Sequence, residues 1–252
     1  MKLHFRTLGT GYPLIVLHGV FGSSDNWQTI SKDFADTYKV YLVDLRNHGK
    51  SPHSDVFNYD VMAEDLRELL NDEKLNEAHL IGHSMGGKVA MNFATKYPEK
   101  VKKLIVVDIA PKYYPPHHQK IFEGFKSVDL NKLRSRKEAD EQMTSVISNF
   151  GIRQFVLKNL DREKGGKFKW KLNLEAIEKA VKEIGEGLET KANFNGDTLF
   201  IAGSKSDYIL EEDHEIIRSF FPKATILTVE EAGHWIHAEK PKELHEKVVS
   251  FL

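Results

Sequence analysis

The sequence predicts an α/β fold in which a mostly parallel central sheet is flanked by helices and carries a helical insertion in its second half. Three observations predict it. Short runs of Val, Ile, Leu and Tyr recur along the chain; amphipathic helical patterns separate them; and between Pro111 and about Asn195 the alternation gives way to helical patterns alone. Runs apolar on both faces belong to buried parallel strands, and strands alternating with helices belong to βαβ units.

The stretch Met1 to Arg6 alternates polar and apolar residues like a first strand. Leu14 to Leu17, Val40 to Val43, His79 to Ile81, Leu104 to Val107 and Thr198 to Ile201 read as central strands. Tyr59 to Leu70 and Val89 to Tyr97 read as amphipathic helices, the second closed by Pro98, which has no N–H to continue it. Pro111-Lys112-Tyr113-Tyr114-Pro115-Pro116 is stiff and extended and leads into the insertion. Inside it, Gln119 to Val128, Lys137 to Phe150, Ile152 to Leu157 and Leu174 to Ile184 read as helices, with Asp161 to Lys167 an exposed turn and little strand character throughout. Glu211 to Phe221, the strand Ala224 to Val229 and a terminal helix opened by Pro241 complete the chain. The expected division is a core of residues 1–110 and 196–252 with a helical cap over 111–195.

A chain of 252 residues can bury a full core as one α/β domain with an insertion. Its formal net charge of −1 removes any broad electrostatic case for nucleic acid or an anionic membrane as partner, and leaves small-molecule chemistry. With no cysteine, disulfides, thiolate nucleophiles and cysteine-type zinc sites are excluded. No run of about 20 apolar residues is present to span a bilayer, and the N-terminus lacks the apolar core of a signal peptide. The expectation is a cytoplasmic protein, a monomer or homodimer.

Gly82-His83-Ser84-Met85-Gly86 lies between the run Ala78 to Ile81 and a helix-like stretch. This reads as a nucleophile elbow: a serine on a tight strand-to-helix turn, whose strained backbone demands small neighbours. A serine hydroxyl is a weak nucleophile until a base takes its proton. Among 12 histidines, His234 stands out, because Ala232-Gly233-His234-Trp235 follows the last strand on a short loop; His237 is its nearest competitor. His4, His53, His118, His214 and His245 read as surface or strand-end residues. The loop His18-Gly19-Val20-Phe21-Gly22-Ser23 follows an early strand where one oxyanion donor is needed, so the N–H groups of Val20 and Met85 are the expected pair. The G-x-G-x-x-G and Walker spacings are absent, and His234 and His237 have no acidic third ligand at matching spacing, so neither a cofactor nor a metal is expected.

In these ordered motifs the chain resembles the α/β-hydrolases over essentially its whole length. They are His18-Gly19, Gly82 to Gly87 and Gly233-His234, with Asp44-Leu45-Arg46-Asn47-His48-Gly49-Lys50-Ser51 similar to the loop after an early strand. Together with Asp108-Ile109-Ala110-Pro111 and Gly233 to Ala238, they are most similar to the small bacterial YbfF-type esterases and their mitochondrial ABHD-type relatives. That resemblance implies hydrolysis of ester or thioester substrates, acyl-CoA-like ones included. In the family's commonest arrangement the triad acid lies three residues after a glycine beyond the penultimate strand; here that position is Ser206, and Asp207 falls one residue late. Asp108, at the end of Leu104 to Val107, is the other candidate, and the subgroup's Asp-Ile-Ala-Pro stretch implies it as the acid, with Asp207 as the alternative.

The expected activity is a serine carboxylesterase or thioesterase cleaving short- to medium-chain acyl esters through Ser84, His234 and an aspartate. A C–C bond hydrolase or lyase, or a non-catalytic ligand receptor, is the alternative on the same scaffold. Haloalkane dehalogenase and epoxide hydrolase chemistry would need a carboxylate where Ser84 stands. Phe21, Tyr113, Tyr114, Phe122, Phe125, Trp170 and Trp235 are the candidate substrate-lining residues. Arg46 and His48 are read as pinning their loop rather than as substrate anchors.

Overall fold

The computed structural model describes residues 1–189 and 192–252; residues 190 and 191, inside the stretch 111–195, lie outside the described residues. In chain order the core opens with β1 (Phe5–Leu8), β2 (Tyr12–Leu17), α1 (Gln28–Phe34), β3 (Tyr38–Val43), α2 (Tyr59–Asp72), β4 (Ala78–His83), α3 (Met85–Lys96) and β5 (Val101–Val107). Between β5 and the next sheet strand come α4 (Gln119–Lys126), α5 (Arg136–Met143), α6 (Phe150–Leu157), β6 (Leu160–Arg162), β7 (Phe168–Trp170), α7 (Leu174–Lys179) and α8 (Val181–Gly185). The core resumes with β8 (Thr198–Gly203), α9 (His214–Phe220), β9 (Ala224–Val229), α10 (Ile236–Glu239) and α11 (Pro241–Phe251).

Seven strands form one sheet in the order β1-β3-β2-β4-β5-β8-β9. Only β1 runs antiparallel to its neighbour, β3. The registers of the other pairs are parallel, from Leu17 opposite Val43 through Gly82 opposite Val106 to Gly203 opposite Val229. The central strands β2, β3, β4, β5 and β8 are apolar on both faces because both are covered. Ile15, Leu17, Leu80, Leu104, Val106 and Phe200 pack on one side with α2 and α3, while Leu14, Val16, Ile81, Ile105, Leu199 and Ile201 pack on the other with α1 and α11. Truncating one such leucine or isoleucine to alanine costs about 2–5 kcal/mol. This parallel arrangement brings the C-terminal ends of β2, β4, β5, β8 and β9 to one edge, where the loops after them meet.

The segment between β5 and β8 departs from its expected form in three places. Lys137 to Phe150 is not one helix: α5 stops at Met143, and Asn149 restarts the chain as the N-cap of α6, its side chain accepting the Ile152 N–H at 3.1 Å. The Arg153 guanidinium holds that joint by bonding the carbonyls of Ile147 and Ser148 and the Asp140 carboxylate. Leu174 to Ile184 is likewise two short helices, divided where Ala180 leaves the helical region at φ −93° and ψ 17°. Strand structure is present too, since Leu160 to Arg162 pairs antiparallel with Phe168 to Trp170, and the exposed turn is the tip of that hairpin with Gly166 at φ 83°.

Candidate active site

The turn after β4 is built by close approach. A Cβ on Gly82 would stand 2.3 Å from the Gly86 carbonyl oxygen, and one on Gly86 would stand 2.5 Å from the carbonyls of Leu17 and His18, so the start of α3 can lie against β2 only with glycine there. Ser84 between them sits at φ 52° and ψ −120°, a left-handed conformation that a serine adopts only when its surroundings enforce it. Its N–H is fixed on the Val107 carbonyl at 3.1 Å, which ties the turn to the end of β5.

The loop after β2 is fixed by two buried imidazoles. His18 Nε2 accepts the Leu45 N–H at 3.0 Å while its Nδ1–H donates to the Gly19 carbonyl at 2.8 Å. His48 does the same one layer away: its Nε2 accepts the Phe21 N–H at 3.3 Å and its Nδ1–H donates to the Arg46 carbonyl at 2.8 Å. Burial pulls the His18 pKa down and that of His48 to about 3, so both stay neutral acceptors. Arg46 is paired with Asp65 at 2.6 and 2.7 Å, which places it in the loop's support rather than in the cavity. Phe21 is held at φ 60°. Among the described residues, no backbone carbonyl takes up the N–H of Val20 or of Met85.

His234 comes from the loop after β9. Its Nδ1 lies 2.7 Å from Oδ2 of Asp108, which sits at the end of β5 with φ 53° and is fully buried. The other Asp108 oxygen accepts the Gly203 N–H at 3.0 Å, and Ser206 donates its hydroxyl to Oδ2. The aspartate that the structure brings to His234 is therefore Asp108, whereas Asp207 is exposed. Tyr208, next along, lays its ring on the His234 imidazole with centroids 3.8 Å apart and planes 17° apart. The Tyr208 hydroxyl lies 2.5 Å from His117 Nε2, and its backbone carbonyl accepts the Tyr114 hydroxyl.

Ser84 and His234 face a common cavity of about 180 Å³, whose walls include His18, Phe21, His83, Ile121, Phe155 and Trp235. A smaller one of about 20 Å³ adjoins it on the Met85 side of Ser84 and takes in Val20 and Tyr114. Of the expected lining residues, Phe21, Trp235 and Tyr114 are in place. The others are not: Phe122 and Phe125 pack behind Phe21 with ring centroids 5.1 and 5.7 Å from it, Trp170 stands edge-on to Phe125, and Tyr113 is 54% exposed. The cause for the two phenylalanines is that α4 turns Phe122 and Phe125 onto Phe21 and presents Ile121 to the cavity.

His118 corrects a further expectation, since it lines the cavity rather than the surface, and burial lowers its pKa to about 3. His117, Tyr208 and Phe155 had no motif to signal them. His237 is buried, stacked on Trp27 at 4.7 Å, and held neutral by burial with a pKa of about 3; His83 lies between it and His234 and donates Nε2–H to the His234 carbonyl at 2.8 Å. Among the described residues no three His, Asp or Glu side chains converge as a metal site would require, and no helix is long and apolar enough to cross a membrane.

Residues 12–241 match the family model of the alpha/beta hydrolase fold. The chain belongs to the α/β-hydrolase family. Among curated α/β hydrolases it is 40% identical to the sn-1-specific diacylglycerol lipase ABHD11 of Danio rerio, over 98% of this chain and 80% of that protein. It is 34% identical to the esterase YbfF of Escherichia coli, over 95% of this chain and 92% of that one. A solved structure described as a marine microorganism esterase superposes with a TM-score of 0.96 at 43% identity, covering 100% of this chain and 99% of the other. The chain is thus an α/β hydrolase of the esterase/lipase type.

Proposed function

We propose that the protein is a serine carboxylesterase in which Ser84 is the nucleophile, His234 the general base and Asp108 the acid that orients it. The observation that carries this reading is the 2.7 Å contact from Asp108 to His234 Nδ1 at the cavity where Ser84 stands on its strained turn. With Nδ1–H engaged by the carboxylate, Nε2 is the lone-pair nitrogen left to take the serine proton. Ser84 attacks the acyl carbonyl as His234 takes its proton. The oxyanion is met by the N–H groups of Val20 and Met85, the latter at the start of α3 where the helix dipole is positive. His234 then protonates the departing alcohol, leaving an acyl-enzyme. Water activated by the same imidazole releases the acid.

Residues 111–195 serve as the cap in this reading, covering one side of the cavity through His117, His118 and Ile121. The substrates are acyl esters no longer than medium-chain, and a thioester presents the same carbonyl to the same groups. Hydrolysis of a p-nitrophenyl ester series by wild type beside Ser84→Ala tests the assignment. Activity that disappears with the hydroxyl while the circular dichroism spectrum is unchanged supports it. Activity retained in Ser84→Ala refutes it, and a folded wild type that turns over no ester shifts the reading to C–C bond hydrolysis or ligand reception.

A further inference from the structure

Ser84 stands at the junction of two unequal lobes. The larger, about 180 Å³, contains His234 together with Asn26, Phe155, Trp235 and His237. The smaller, about 20 Å³, does not reach His234; its inner walls are Tyr59, Met85, Ile109, Val181 and Ile184. Val20, Ser84, His117, His118 and Tyr208 belong to both. The larger lobe also continues outward: Asn26, Phe155, Trp235 and His237 are shared with a surface groove of about 420 Å³ that runs over Ile152 and Ala238.

Resting on the serine-esterase reading, the reaction decides which half of an ester lies where. The leaving oxygen must come within hydrogen-bond reach of the His234 imidazole, so the alcohol occupies the lobe that contains His234. The acyl substituent, on the far side of the carbonyl carbon, is directed to the lobe beside Met85. A space of about 20 Å³ holds roughly one water-sized group. On the α8 side its wall is pinned. The buried Tyr59 hydroxyl donates to the Ile184 carbonyl at 2.6 Å, the Tyr114 N–H donates to the Gly185 carbonyl at 2.8 Å, and a Cβ on Gly185 would stand 2.3 Å from the Tyr114 oxygen. Widening the lobe therefore means breaking the contacts that hold the end of α8.

We propose that this chain is selective for esters of a small acyl group, acetyl or propionyl, seated against Ile109, Val181 and Ile184. The alcohol is bulky and largely apolar; it fills the lobe of Phe155 and Trp235 and extends into the groove beyond. The acyl chain of a long-chain glyceride would not fit the small lobe.

The test uses two substrate series. With p-nitrophenol as constant leaving group, kcat/KM should fall at least tenfold from acetate and propionate to hexanoate. With acetate constant, kcat/KM should rise from ethyl through benzyl to naphthylmethyl acetate, alcohols of similar acidity. Ile184→Ala, or Val181→Ala should the first not fold, should move the acyl optimum to longer chains and leave the alcohol ranking unchanged. Phe155→Ala should raise KM for naphthylmethyl acetate and leave the acyl optimum in place. An acyl profile flat or rising to dodecanoate, or lobe variants whose effects fall on the opposite half of the ester, overturns the assignment of the lobes while Ser84-dependent turnover still supports the esterase. Turnover that survives Ser84→Ala, or none on any ester, overturns both.

Discussion

Ser206 donates its hydroxyl to the same Asp108 oxygen that faces His234 Nδ1. The position that in the commonest arrangement of this family supplies the acid thus supplies a hydrogen-bond donor to an acid from another strand. With the Gly203 N–H on its second oxygen and no exposure to solvent, Asp108 is held as an acceptor on both sides.

Asp108→Asn should therefore lower kcat on p-nitrophenyl acetate by on the order of 10³–10⁴, because an amide leaves the imidazole in the wrong tautomer. Asp207→Asn, at an exposed site, should stay within about twofold of wild type. Ser206→Ala, which removes one of the two donors on Oδ2, should fall between them. Steady-state kinetics of the three variants separate the roles; a large loss in Asp207→Asn would transfer the acid to the loop after β8.

Tyr208 is expected to act on the rate through the ring that lies on His234 rather than through its hydroxyl. Tyr208→Phe keeps the stack and loses the contact to His117, so kcat should remain within about threefold of wild type. Tyr208→Ala frees the imidazole to turn out of line and should cost on the order of tenfold in kcat with KM less affected. Equal losses in the two variants would place the effect in the His117 contact instead.

Lys88, buried in α3, donates at 2.5 Å to each of two carbonyls, those of Lys112 and Glu186, and so joins the two strands of chain that connect the insertion to the core. Burial lowers its pKa to about 7. The unfolded chain keeps the proton up to about pH 10.4, the ordinary lysine value, while the folded one releases it near 7. The unfolded state thus binds more protons between these limits, and stability contributed at this site rises with pH across that window, the cost being fully present below it. The melting-temperature difference between wild type and Lys88→Met should widen in favour of wild type from pH 7 to 10. A difference that is constant or narrows would contradict the sign.

Gly86→Ala places a methyl carbon against the Leu17 and His18 carbonyls, two rigid backbone atoms of the sheet edge. It should destabilise the fold by more than about 3 kcal/mol or prevent it, as read by thermal melting, whereas Gly165→Ala, at a hairpin tip where nothing lies within 4 Å, should be nearly neutral.

The sheet was legible because its central strands are buried on both faces, and such runs have few other readings. Gly82 and Gly86 marked the turn at Ser84 for a local reason, the approach of α3 to β2, and a local reason leaves a local signature. The choice between Asp108 and Asp207 had no such physical signature, only the resemblance carried by Asp108-Ile109-Ala110-Pro111: it depends on how the ends of β5, β8 and β9 meet, a relation among residues 126 positions apart in the case of Asp108 and His234. The lining residues were the least legible. An aromatic on an amphipathic helix announces burial without saying against what, and α4 spends Phe122 and Phe125 on Phe21. His118 was missed because the stiff Pro115-Pro116 run just before it gives no periodicity from which to read its facing. The hairpin β6–β7 was hidden by strands of three residues each, too short for alternation to show.

The Pro111 carbonyl accepts the Leu188 N–H at 3.0 Å, so the two ends of the insertion touch where they leave the core. The chain between them thus leaves and rejoins the core at one place, and side contacts such as Tyr59 to the Ile184 carbonyl and Asn159 to the Phe21 carbonyl lay it over the sheet edge. A tight turn in place of residues 112–187 should uncover Phe21 and Ile109 and remove the bonds of Asn159 and Asn173 to the loops at Phe21 and Asn47, while the pairing of the seven-stranded sheet lies outside the exchanged segment. The segment is thereby a graftable module: lids from other chains whose ends meet at a similar spacing can be carried on this frame, and a chosen serine edge can be given a different ceiling without redesigning the floor.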